Sequence, residues 1–154
     1  MVTGYPDYQR NINIAAQSAD QLIERPKYGA PQSILIQGTL AEDEYKTIFS
    51  LSGRGIVYGG KFMVFSPFSA KNTALYLSLD DVVVFSHTFA ELNTYKITDQ
   101  FQHYIFLVYY DDGAHFYSVV FTQDITFESN VTLQAKSFST GTAGYTAIYN
   151  YSLI

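Results

Sequence analysis

The residues able to do chemistry in this chain are few and scattered. Its histidines are His87, His103 and His115, none at helical or strand spacing from another, so a zinc site would have to be assembled entirely by the fold. Each reads instead as a strand-end or loop histidine, and His87 with Asp80 or Asp81 is the one pair close enough along a hairpin to test for contact. The acidic pairs Asp80, Asp81 and Asp111, Asp112 supply carboxylates of the kind that bind calcium or share acid and base roles, provided they converge. Adjacent strand residues point to opposite faces, however, and Asp at a hairpin turn needs no further role. Glu42, Asp43 and Glu44 form a solvated acidic loop.

Other motifs argue against catalysis. The glycines of SLSGRGIVYGGKF would need a following helix and a Lys-Ser or Lys-Thr pair to cradle phosphate, whereas Lys61 is followed by Phe62 and continuing strand. Glycines in such a strand mark bulges or tight bends. No G-x-S-x-G elbow appears. With Cys 0 there are no thiolate nucleophiles, disulfides or cysteine metal ligands. The expectation is a non-enzyme without catalytic residues, metal or cofactor.

The elements that must position these groups are strands. Of the 154 residues 47% are hydrophobic and 17% aromatic, with Tyr 14 and Phe 12 against Trp 0, a surplus that favours sheet. A chain of this length forms one domain and buries roughly two thirds of its unfolded surface. Short apolar segments broken by Gly, Asp, Asn and Ser predict strands near 33–40, 45–51, 55–66, 73–79, 82–86, 103–110, 115–122, 131–138 and 143–152. The fold class is therefore all-β, an antiparallel sandwich of jelly-roll size. Leu75, Leu77 and Leu79 alternate with Ala74, Tyr76 and Ser78 before the Asp80-Asp81 turn, which makes 73–86 a hairpin. A second hairpin flanks Asp111, Asp112 and Gly113, where Gly113 is expected to carry a positive φ. The stretch 89–101 reads as a short helix or a long loop.

Residues 1–32 differ from the rest, and form an N-terminal arm and hinge ahead of a sandwich domain at 33–154. Ala15, Ala19, Leu22 and Ile23 suit a helical turn or two, Asn11 to Ile14 alternate like a strand, and Pro26, Gly29 and Pro31 make an irregular hinge. No apolar h-region opens the chain and no apolar run is long enough to cross a bilayer, so neither a signal peptide nor a membrane partner is expected. The formal net charge of -5 disfavours nucleic acid.

The aromatic surplus remains as a binding signal, because outward tyrosines can stack on sugars or fill a subunit interface. The candidates are Tyr5, Tyr8, Tyr45, Tyr58, Tyr76, Tyr117, Tyr145, Tyr149 and Tyr151. The closing strand, with Tyr145, Ala147, Tyr149 and Tyr151 on one face, is expected to pair centrally or with a neighbouring subunit.

The opening GYPDYQRNINIAAQSADQLIERPKYGA, the segment LSGRGIVYGGKFMV, the hairpin ALYLSLDDVVVF and the closing AIYNYSLI stand in an order that resembles small β-sandwich virion structural proteins of tailed bacteriophages. In those proteins the hairpin turn is usually Asp-Gly, and Asp81 departs from that pattern. The resemblance implies a structural or decoration protein of the head or tail, a homo-oligomer with a trimer favoured, located in the virion and made in the host cytoplasm. It also implies that the arm lies over a neighbour or another virion protein, through Tyr5, Tyr8, Ile12, Ile14, Leu22 and Ile23. The alternative is a carbohydrate-binding or receptor-binding module that takes glycan at loops carrying Asp80, Asp81, Asp111 and Asp112.

Overall fold

The computed structural model describes residues 29–99, 103–138 and 140–154. Within them run ten strands and one short helix. The strands are β1 (Gln32–Leu40), β2 (Tyr45–Ser52), β3 (Gly55–Phe65), β4 (Ala74–Leu79), β5 (Val82–Thr88), β6 (Ile105–Asp111), β7 (Phe116–Phe121), β8 (Ile125–Phe127), β9 (Asn130–Lys136) and β10 (Ala143–Leu153). Helix α1 covers Phe89–Thr94. The arm residues Tyr5, Tyr8, Ile12, Ile14, Leu22 and Ile23 lie outside the described residues.

One sheet runs β1-β10-β3-β7-β6, with β8 also on β3, and the other runs β2-β9-β4-β5. Every strand pair is antiparallel. Strand β10 inserts between β1 and β3, and β9 inserts between β2 and β4. The last strands of the chain thus fill gaps left by the first ones, so that β1-β10-β3-β7 faces β2-β9-β4-β5. That nesting of two Greek keys is a jelly roll, widened by β6 at one edge.

Alternation sets which side chains meet between the sheets. On β10 the inward positions are Tyr145, Ala147, Tyr149 and Tyr151, all buried. Tyr149 stacks on Phe49 of the opposite sheet, ring centres 4.1 Å apart. Phe62 stacks on Tyr145 at 5.7 Å and on Phe89 of α1 at 6.5 Å, and Phe89 stacks on Tyr117 at 5.3 Å. This corrects the outward reading of Tyr117, Tyr145, Tyr149 and Tyr151: a central strand turns its aromatic face into the core, where large rings span the gap between the sheets. Tyr45 is exposed, whereas Tyr58 and Tyr76 are half-buried.

The turns hold two surprises. Asp80 (φ 50°) and Asp81 (φ 65°) both take the left-handed conformation, so the β4–β5 hairpin keeps a two-residue type I′ turn although neither position is glycine. In the β6–β7 hairpin the expected positive φ at Gly113 is not found, and His115 takes it instead (φ 53°). Asp111 Oδ1 accepts the N–H groups of Gly113 and Ala114 at 2.9 and 2.8 Å. That local capture closes the turn at the aspartate end and moves the left-handed residue to the strand entrance. The glycine-rich stretch of β3 is a bulge: Asn150 and Tyr151 face Gly59 and Val57, leaving Tyr58 extra beside Gly59 (φ 155°).

Candidate functional site

The aspartates singled out by sequence are anchors within the fold. Asp80 Oδ1 accepts from the N–H groups of Glu128, Ser129 and Asn130 at 3.0, 2.7 and 3.2 Å, and from the Ser129 hydroxyl at 3.1 Å. Three backbone donors lower its carboxyl to about 2, with the Ser129 N–H the largest cause. Asp81 accepts from Asn130 Nδ2 at 3.0 Å. The β4–β5 turn is thereby tied to the β8–β9 connection. Asp112 plays the same part at the β6–β7 turn. Its Oδ1 accepts from the Ser69 and Tyr117 hydroxyls, and Lys71 Nζ lies 3.4 Å from its Oδ2. These donors, Ser69 first, hold Asp112 at about 2, while burial and then the Asp112 contact push Tyr117 up to about 12. The Ser69 hydroxyl proton is committed to a carboxylate, which is the reverse of nucleophile activation. Among the described residues no three of His, Asp and Glu converge in a way that could hold a metal.

His87 does not meet Asp80 or Asp81. Its Nδ1 lies 2.9 Å from Glu91 Oε2, one turn away at the start of α1. Sequence reasoning passed over Glu91, although Thr88-x-x-Glu91 is a helix-start signal: the Thr88 hydroxyl caps α1 by accepting the Glu91 N–H at 3.1 Å. The fold also brings His103 against His87, ring centres 5.5 Å apart, with Phe85 beside both. Burial, and secondarily the His87 charge, lowers the pKa of His103. His115 Nδ1 is buried and has no hydrogen-bond partner.

The two outer sheet faces differ in chemistry. The outside of β2-β9-β4-β5 is rich in hydroxyls and amides: Ser50 pairs with Thr132 at 3.0 Å, and Gln134 reaches Thr47 at 3.4 Å. The outside of β1-β10-β3-β7-β6 is poor in charge, with Ser33, Gln37, Thr39, Thr146 and Asn150 on β1 and β10 and mainly apolar side chains toward β3, β7 and β6. One row in register across all five strands reads Leu35, Ile148, Lys61, Val120, Phe106. Beside it stand Met63, Phe65, Phe116 and Tyr109, the last two in edge-to-face contact at 5.4 Å. Leu35 is 60% exposed, Phe65 50% and Ile148 36%. On the strands of this face only Lys61 and, at one corner, Asp111 place charge outward. A broad face this short of charge is what a water-exposed surface avoids unless something covers it.

No protein-family model and no curated protein matches the chain. Among solved structures it is similar to a chain of the cyanophage Pam1 capsid asymmetric unit, at 10% identity and a TM-score of 0.43, over 84% of this chain and 89% of that one. It is also similar to a chain in the structure of infectious bursal disease virus Gx strain, at 14% identity and a TM-score of 0.37, over 82% of this chain and 33% of that one. A third likeness is to dimeric latent PorU from Porphyromonas gingivalis, at 12% identity and a TM-score of 0.32, over 81% of this chain and 11% of that one. The fold assignment rests on this chain's own strand order and registers.

Proposed function

We propose that this chain is a non-catalytic structural or decoration protein of a tailed-phage virion, assembled from its own jelly-roll bodies as a homo-oligomer, with a trimer favoured. The observation that carries the reading is the apolar row that crosses the charge-poor outer face of the β1-β10-β3-β7-β6 sheet. Its row of Leu35, Ile148, Val120 and Phe106 around a single lysine has the composition of an interface core, which is poor in charge and rich in aromatic and aliphatic area. A second copy of the chain is the occupant that this face fits, because most oligomers are built from identical chains and obligate interfaces are the more apolar ones.

The start of the described body, at Gly29, is compatible with a role for the arm. The Gly29 N–H donates to the Leu153 carbonyl at 2.6 Å, so the chain enters the body beside β1 and β10, at the edge of this same sheet. In this reading the preceding segment, with Ile12, Ile14, Leu22 and Ile23 as its apolar stripe, contacts a neighbouring subunit or another virion protein. The carboxylates that sequence assigned to a ligand loop are committed within the fold, which favours assembly over a calcium site at those turns. The test is the native mass of the full chain at micromolar concentration. An oligomer of defined stoichiometry is expected, and a persistent monomer overturns the reading.

A further inference from the structure

The end of the β2-β9-β4-β5 sheet near α1 carries a feature that lies away from the proposed interface. A cleft of about 530 Å³ is lined by Asn72, Thr88, Glu91, Thr94, Tyr95 and Phe138. Its size is that of an ordinary small-ligand site. Two of the lining residues are large rings left in water: Tyr95 is 64% exposed and Phe138 48%. Between them the cleft presents the Asn72 amide and the Glu91 carboxylate, while the Thr88 and Thr94 hydroxyls are hydrogen-bonded to the Glu91 N–H and the Ala90 carbonyl. The carboxylate is held in place, since Glu91 Oε2 lies 2.9 Å from His87 Nδ1 and the Glu91 backbone is fixed by the Thr88 cap. Phe138 is steadied by Lys136, whose Nζ lies 4.8 Å from its ring centre and 4.6 Å from that of Tyr45. Tyr45 in turn packs on Tyr76 at 5.6 Å, which extends an aromatic and hydroxyl-bearing track from the cleft along the sheet.

We infer that this cleft binds a neutral glycan, with Tyr95 and Phe138 as stacking platforms and with Asn72 and Glu91 as hydrogen-bonding partners of the sugar hydroxyls. Flat rings answer the apolar C–H face of a pyranose, and the amide and carboxylate answer its equatorial hydroxyls. The charge chooses among polymers. With the Glu91 carboxylate in the lining, a single ammonium, that of Lys136, over the Phe138 ring and a net charge of -5, the cleft offers no cluster of cations to attract nucleic acid or anionic polysaccharide. The open shape of the cleft and the amide and carboxylate in its lining disfavour a lipid or a compact hydrophobic ligand. The inference places glycan binding away from the aspartate turns, and it stands apart from the assembly reading because the cleft lies on the opposite sheet.

The experiment is a glycan array probed with the full chain, followed by titration of the best neutral oligosaccharide into the chain and its variants. Binding to neutral glycans is expected, weakened roughly ten-fold by Tyr95→Ala or Phe138→Ala, the scale of one lost aromatic stack. Glu91→Gln is expected to weaken it, while Tyr104→Ala, an exposed tyrosine outside the cleft, leaves it unchanged. Silence across the array, capture of anionic glycans alone, or equal affinity for wild type and both ring variants overturns the inference. Native mass measured on the same samples separates this outcome from assembly: an oligomer that binds no glycan leaves the proposed function in place and removes the cleft, and a glycan-binding monomer does the opposite.

Discussion

Charging the apolar row should dissolve the proposed oligomer and leave the monomer intact. Leu35 and Ile148 are cross-strand partners, 60% and 36% exposed, and Ile148 also faces Lys61. Full burial of a Leu or Ile side chain is worth about 1.5–3 kcal/mol, so the exposed fractions have roughly 1–2 kcal/mol still to gain at Leu35 and about 0.5–1 kcal/mol at Ile148. The double substitution Leu35→Lys and Ile148→Glu removes that gain, roughly 1.5–3 kcal/mol per subunit, and adds the cost of desolvating two charges wherever the face is buried. The apolar loss alone weakens association by roughly ten-fold to over a hundred-fold, and desolvation should carry it past about a thousand-fold. Monomer stability should hardly change, because the positions are exposed and the new charges pair with one another and with Lys61 across the strands. Sedimentation velocity at micromolar concentration and urea unfolding read the two effects separately. A variant that sediments at the wild-type mass refutes the assignment of this face as the interface. A variant that unfolds at much lower urea shows that the face is needed by the monomer itself, which also refutes it.

Three further outcomes are expected. Phe62→Ala removes a fully buried ring that stacks on both Tyr145 and Phe89, and should cost about 3–5 kcal/mol, lowering the melting temperature by roughly 6–20 °C, measurable by calorimetry. Asp80 and Asp112 sit near 2 in the folded protein, below the usual carboxylate value, so the stability that they contribute is complete above about pH 4 and is lost as the pH falls toward about 2. Urea midpoints across that range should fall less steeply for Asp80→Asn with Asp112→Asn than for wild type, and parallel curves would contradict the anchoring role. Deleting residues 1–28 should leave the far-ultraviolet sheet signal unchanged while abolishing association with the particle, and undiminished association would remove the arm from the account.

The sandwich was legible because alternation in half-buried strands writes the sheet faces into the residue order. The hairpins on either side of Asp80-Asp81 and of Asp111 to Gly113 appear where that alternation predicts, and each expected strand is present within a residue or two. Strand β8 escaped notice because three residues, Ile125–Phe127, are too few to show a period. The tyrosines of β10 were misread for a different reason. Alternation tells which residues share a face but not which face is inside, and only the central place of β10 between β1 and β3 turns Tyr145, Tyr149 and Tyr151 inward. The same limit hid the apolar row of the outer face: Leu35, Ile148 and Val120, with Lys61 among them, come from strands far apart in sequence, and register alone aligns them. Contacts such as Glu91 with His87, or Asp80 with the backbone of residues 128–130, depend on where turns meet. The aspartates were noticed for their chemistry, yet their hydrogen bonds are to the chain itself.

The central claim, that this jelly roll is a structural component of a virion, is tested most directly by quantitative mass spectrometry of purified particles of the virus whose genome encodes it. The account predicts that the chain copurifies at a fixed copy number that is a multiple of its oligomer, and that the number is unchanged by further gradient purification. Particles of full protein content that lack the chain, or that lose it to trace levels on repurification, would contradict it.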